Sequence, residues 1–352
     1  MPSDETPPVS TGLPARAGAA PAALRIAVSL AFAAWSAVFA AAPSAARDVP
    51  AEEPIEAPGP LDRLQGTLLS PGGQEVGKAV ALIVPGSGPT DRDGNSPQGL
   101  QAATYRLLAE GLAARGIASV RIDKRGLFGS RSAVRDANDV TISDYAQDVH
   151  RWVSAVRERT NARCVWVIGH SEGGIVALKA AESGTGICGL VLAATPGRPL
   201  GQVLRAQLRA NPANAPLLDA AERAIETLES GRRVEMATLP PPLRPLFRPA
   251  VQGFLIDSFA VDPARLAGAF KGPMLVLQGA RDLQIGPDNA RLLRQAAAQA
   301  KLVVLPTANH VLKPVATDAP TANVATYGRA DLELAPGVVE AITEFIEANP
   351  AR

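Results

Sequence analysis

Cys164-Val165-Trp166-Val167-Ile168-Gly169-His170-Ser171-Glu172-Gly173-Gly174-Ile175-Val176-Ala177-Leu178-Lys179-Ala180-Ala181 is the stretch on which the reading of the chain turns. Its first five residues are a short apolar run of the kind that forms a buried strand, and the run from Gly174 is rich in good helix formers. Between them stands G-x-S-x-G. A serine at a strand-to-helix turn is a nucleophile elbow: the sharp turn lifts the hydroxyl away from the backbone, and small neighbours let the turn close. In a chain with 31 glycines the pentapeptide alone is weak, and an ordinary glycine-rich turn is the competing reading. The strand before it and the helix after it favour the elbow.

Outward from this unit, strand and helix patterns alternate. Residues 79–84 form an apolar run ending at Pro85-Gly86. Residues 105–115 carry Leu107, Leu108 and Leu112 at helical spacing and stop at Gly116. A strand is expected over 117–122. A helix is expected over 143–159, with Ser143 as its cap and Tyr145, Val149, Trp152, Val153 and Val156 on one face. Strands follow at 187–194, 274–279 and 302–305, and helices at 288–299 and 337–348. From 200 to about 262 there is no strand pattern, only two amphipathic helices (200–210 and 213–230) and a proline-dense stretch from Pro240 to Pro249. Alternating units of this kind build a mostly parallel sheet with helices on both faces, here with a helical insertion. Active sites on such sheets lie beyond the C-terminal ends of the strands.

Acyl transfer through serine needs a base for the hydroxyl proton and an acid to hold that base in the right tautomer. Of the three histidines, His150 falls inside a helix and His170 in the elbow itself. His310, in Pro306-Thr307-Ala308-Asn309-His310, follows the last apolar strand. Asp282 closes Gln278-Gly279-Ala280-Arg281-Asp282 after the strand before it. Alone, His310 reads as a loop histidine and Asp282 as a turn carboxylate; together they give the order Ser171, Asp282, His310 expected of a triad on this kind of sheet. The loop Pro85-Gly86-Ser87-Gly88-Pro89 can aim backbone N–H groups at a developing alkoxide, so the oxyanion donors are assigned to the N–H of Ser87 and of Glu172. Asp91, Asp93 and Asn95 begin like a calcium-binding loop, but Ala102 stands where such a loop needs its final glutamate. They are expected to brace the oxyanion loop, and no metal or cofactor is expected.

Taken together, Pro85-Gly86-Ser87-Gly88-Pro89-Thr90-Asp91-Arg92-Asp93-Gly94-Asn95, Asp123-Lys124-Arg125-Gly126, Gly169-His170-Ser171-Glu172-Gly173-Gly174, Gly279-Ala280-Arg281-Asp282 and Ala308-Asn309-His310 resemble the α/β-hydrolase superfamily. The likeness is to its esterase-like branch, also described as similar to serine aminopeptidases. It implies an eight-stranded sheet, a lid formed by 198–268, Ser171 as nucleophile, Asp282 as acid and His310 as base. The activity implied is that of a carboxylesterase-like serine hydrolase acting on a small-molecule ester. Amide cleavage, acyl transfer to an alcohol, and a non-catalytic binding protein on the same fold are the alternatives. An aminopeptidase would want lid carboxylates for a substrate ammonium; Asp219, Glu222, Glu226 and Glu229 have the spacing of a solvated helix face instead. Two departures stand out: Pro85 precedes Gly86 where many relatives have histidine, and Phe128 occupies a usual glycine, so it either fills part of the pocket or reshapes the loop.

A formal charge of +1 and an aromatic content of 4% over 352 residues argue against a nucleic-acid partner. Residues 26–42 are apolar and uncharged, and Ser44 and Ala46 suit the −3 and −1 positions of an export cleavage site. Residues 1–46 therefore read as a signal peptide of an exported (periplasmic or secreted) protein, leaving no stable membrane span after processing. A membrane anchor formed by 26–42 is the alternative. Residues 47–60 read as a Pro/Glu linker ahead of a domain at 61–352. Cys164 and Cys188 each begin a strand; they are either two small buried hydrophobes or, if those strands are neighbours, a disulfide. No feature of the sequence indicates an oligomeric state.

Overall fold

The computed structural model describes residues 50–72 and 79–350, so the expected signal segment lies outside the described residues. The strands are β1 (Ala51–Ala57), β2 (Leu64–Ser70), β3 (Val80–Val84), the short hairpin β4 (Asn95–Ser96) and β5 (Leu100–Gln101), β6 (Ala118–Ile122), β7 (Val165–His170), β8 (Ile187–Ala193), β9 (Met274–Gly279) and β10 (Lys301–Leu305). The helices are α1 (Thr104–Ala113), α2 (Ile142–Thr160), α3 (Glu172–Ala180), α4 (Leu200–Ala210), α5 (Leu218–Glu229), α6 (Pro249–Phe259), α7 (Pro263–Ala269), α8 (Pro287–Ala296), α9 (Pro320–Ala325) and α10 (Val338–Ala348). Eight strands form one sheet in the order β1-β2-β6-β3-β7-β8-β9-β10. Six of them, β6 to β10 in that order, run parallel, and β2 and β1 add antiparallel at one edge. This is the mostly parallel α/β sheet that the apolar runs imply.

Every residue of β3, β6, β7 and β9 is buried, because helices cover both faces. On one face Trp152 and Val156 of α2 pack with Ile175 and Leu178 of α3 against Leu82, Val120 and Val167. On the other, Leu108 and Leu112 of α1 and Ile342 and Phe345 of α10 cover Ile83, Trp166 and Leu275. Residues 200–269, between β8 and β9, hold α4 to α7. There Ile225, Leu228, Leu243 and Phe247 form a separate apolar cluster.

The structure corrects three local expectations and decides a fourth that the sequence left open. The stretch 47–60 is no linker along its length: β1 pairs with β2 from Ala51↔Ser70 to Ala57↔Leu64. Its glutamates look solvated in sequence, but Glu52 pairs with the buried Arg121, Glu53 with Arg159 and Glu56 with Arg63. Ile55 and Ala57 turn into the core, and Pro54 is tolerable because β1 is an edge strand. The cap of α2 is Thr141 rather than Ser143: its hydroxyl accepts from Asp144 N–H, and the Asp144 carboxylate accepts from Thr141 N–H. The proline-dense stretch ends in a helix, since Pro249 is the first residue of α6, where its missing N–H costs nothing. Finally, Cys164 and Cys188 are bonded, with Cα atoms 5.1 Å apart, because β7 and β8 are neighbours.

Candidate active site

Ser171 lies between β7 and α3 with φ 54° and ψ −124°, a conformation that costs an L-residue energy and that tight packing must hold. The elbow glycines show what holds it. A Cβ on Gly169 would fall 2.3 Å from the Gly173 carbonyl oxygen, and one on Gly173 would fall 2.3 Å from that of Val84. Only hydrogen fits at either position. Glu172 is the first residue of α3, so its N–H has no partner within the helix and points out of the helix's positive end.

Asp282 and His310, 28 residues apart in sequence, meet at 2.8 Å between Oδ2 and Nδ1. Asp282 follows β9 and is oriented by two backbone donors, the N–H groups of Gln284 and Ile285, each 2.8 Å from Oδ1. With a carboxylate oxygen as its partner, Nδ1–H of His310 donates to Asp282, which leaves Nε2 without a proton in the neutral ring. The loop bearing His310 is fixed by Asn309, whose side-chain nitrogen donates to Thr326 Oγ1 at 2.7 Å and whose side-chain oxygen accepts from Lys313 N–H at 3.0 Å.

The link from this pair to the elbow runs through His170. Its Nε2 lies 2.8 Å from the His310 carbonyl oxygen, and its Nδ1 lies 3.0 Å from the Tyr105 hydroxyl. A carbonyl only accepts, so Nε2–H donates to His310 and Nδ1 accepts from the Tyr105 phenol. That phenol in turn accepts from Gly86 N–H at 2.9 Å. Burial, followed by the nearby His310 charge, pushes the His170 pKa down to about 4, so the ring stays neutral in this relay. Burial also holds the Tyr105 phenol well above its usual range. One chain of hydrogen bonds thus ties the loop at Gly86, the elbow and the loop bearing His310. His150 lies apart, in α2, and packs near Gly184.

The loop of residues 85–89 lies directly against Ser171: a Cβ on Gly86 would be 3.2 Å from that of Ser171. Ser87 Oγ donates to the buried Glu172 carboxylate at 2.9 Å, joining the loop to α3. Lys124 Nζ donates to the Gly86 carbonyl at 2.6 Å and stands 3.5 Å from Glu172 Oε1. Asp91 and Asn95 brace the turn after the loop of residues 85–89, and not that loop itself as expected. Asp91 Oδ1 accepts from the N–H groups of Asp93 and Asn95, Asn95 Oδ1 accepts from Ala103 N–H, and the Asp93 carboxylate pairs with Arg121.

Lys124, Leu127, Tyr145, Glu172, Arg248 and Phe254 line a recess of about 200 Å³ beside this loop. A larger cavity of about 670 Å³ opens beside the disulfide at the N-terminal ends of β7 and β8, at the opposite end of the strands from Ser171. The smaller recess has the buried Lys124 and Glu172 in its lining. Leu127 rather than Phe128 faces it, and Phe128 sits at φ 45°. The backbone has therefore kept the left-handed turn for which glycine is the usual residue, with Phe128 carrying the strain. Sequence reasoning missed Tyr105 and gave Lys124 no role. Lys124 stood inside a quoted motif, but its contact with Gly86 depends on β6 lying beside β3.

Residues 81–326 match the family described as the alpha/beta hydrolase family. Esterase EstD of Thermotoga maritima is 29% identical over 257 residues, which is 72% of this chain and 58% of that protein; the chain thus spans little more than half of this relative's length. Among solved structures, the Pyrococcus furiosus esterase Pf2001 is similar with a TM-score of 0.53 at 15% identity, over 85% of this chain and 91% of that one. Est1E from Butyrivibrio proteoclasticus is similar with a TM-score of 0.53 at 15% identity, over 84% and 98%. At that identity the likeness is one of fold. The elbow, the strand order and a match covering residues 81–326 make one conclusion: this chain belongs to the alpha/beta hydrolase family.

Proposed function

We propose that this protein is an exported serine hydrolase that cleaves a small carboxylic ester through an acyl-enzyme. The observation that carries the reading is the 2.8 Å contact of Asp282 with His310, on a loop whose backbone is bonded to the residue preceding Ser171. In the mechanism, His310 Nε2 takes the Ser171 proton as Oγ attacks the ester carbonyl. The oxyanion forms against the N–H groups of Ser87 and Glu172. His310 then gives the proton to the leaving alcohol, and a water deprotonated by His310 releases the acyl group.

Ester cleavage is favoured over aminopeptidase action by the lid. Arg205 of α4 holds Glu222 at 2.7 Å and Glu229 at 2.6 Å, both on α5, so these carboxylates are already neutralised and not free to hold a substrate ammonium. Export is supported by the Cys164–Cys188 bond, which persists in oxidising compartments. The deciding experiment is Ser171→Ala. Turnover of short p-nitrophenyl esters should fall on the order of a million-fold, and a fluorophosphonate probe should label wild type but not the variant. Retained turnover in Ser171→Ala would exclude the mechanism.

A further inference from the structure

Lys124 is a buried charge beside Ser87 and Glu172 that the reaction as written above does not use. It leaves β6 two residues past its end, and its side chain is 5% exposed. A lysine so placed loses the solvation of its ammonium, and a structural ion pair offsets that best with the carboxylate as the close contact. Here the order is reversed. Nζ is 2.6 Å from the neutral Gly86 carbonyl and 3.5 Å from Glu172, with the Tyr145 ring face 5.2 Å away on a third side.

That carbonyl belongs to the peptide linking Gly86 to Ser87, which is trans like every peptide among the described residues. Across a planar trans peptide the C=O and N–H vectors are opposed. Anchoring the oxygen on Lys124 therefore points the Ser87 N–H to the opposite side and fixes its direction. The preceding peptide is pinned as well, through the Gly86 N–H bond to the Tyr105 hydroxyl. Charge adds to geometry. A cation on the carbonyl withdraws electron density through the amide and makes its N–H a stronger donor. The same cation balances the Glu172 carboxylate, which would otherwise oppose negative charge forming next to Ser171.

We infer that Lys124 is a positioning residue for the oxyanion: it orients and polarises the Gly86–Ser87 peptide whose N–H meets the alkoxide. The inference rests on the ester-hydrolase reading above. An interaction that acts only on the charged intermediate should appear in kcat and not in KM.

The test is Lys124→Met beside the double variant Lys124→Met/Glu172→Gln. The double variant removes both buried charges, keeps an acceptor for Ser87 Oγ, and leaves no lone ion to unfold the protein. Both should lose kcat on p-nitrophenyl butyrate on the order of 100-fold, as when an oxyanion donor is lost, with KM nearly unchanged. Affinity for a trifluoromethyl ketone that forms a tetrahedral adduct should fall by the same factor. Lys124→Arg should recover most of kcat. A double variant within about threefold of wild-type kcat would overturn the inference, by showing that only the unbalanced Glu172 mattered. So would a lower kcat with undiminished affinity for the ketone. A wild-type protein without esterase turnover would instead remove the functional reading itself.

Discussion

At the residue scale, the site is organised by side chains whose chemistry is ordinary and whose placement is not. His170 is the clearest case: buried, it donates to one partner and accepts from another, which only the neutral ring can do. Its pKa is pushed down to about 4 by burial and then by His310, below the usual 6.5. Between those values the unfolded chain binds a proton that the native state does not. Stability therefore falls as pH drops from about 6.5 and stops responding to this group below about 4, for a total of about 3 kcal/mol. Urea midpoints across that range should show the fall, and His170→Gln should flatten it; an equal slope in the variant would assign the pH dependence to other groups. The positions of Ser171, Asp282 and His310 after β7, β9 and β10 were legible because each follows an apolar run; their roles as a triad are part of the proposed function. The roles of Tyr105 and Lys124 were not, since each depends on an atom of Gly86 that sequence spacing does not reach.

At the element scale, the strands were more legible than their neighbours. Buried parallel strands such as β7 and β9 are short, nearly continuous apolar runs closed by glycine. β1 escaped notice because its glutamates face Arg121, Arg159 and Arg63, partners supplied by β6, by α2 and by the turn before β2. The same dependence on neighbours governs Cys164 and Cys188, which bond because β7 and β8 lie side by side. Closing the loop between them constrains the unfolded chain by about 2–4 kcal/mol. Replacing both cysteines by alanine should lower the urea midpoint accordingly. Ester turnover per folded molecule should hold, since the bond lies at the strand ends opposite Ser171. An unchanged midpoint would mean that the bond does not stabilise the fold.

At the scale of the whole molecule, the core falls into clusters on the two sheet faces and a third within residues 200–269. Phe247 is fully buried at the centre of the third, with Ile225, Leu228 and Leu243 around it. Phe247→Ala should cost about 3–5 kcal/mol locally. Amide exchange should then speed up across α4 to α6 while β7 and β9 keep their protection, because separate apolar clusters open as separate units. A uniform loss of protection would show that insertion and sheet unfold together. The alternation of elements, the elbow and the positions of Ser171, Asp282 and His310 after β7, β9 and β10 were determined by the sequence alone, because they follow from local periodicity and chain order. Only the tertiary structure decided what lies between those positions: the edge strand β1, the disulfide, and the grip of Tyr105 and Lys124 on the two sides of Gly86. Each joins residues distant in the chain through strand order and register, and no local pattern encodes such a contact.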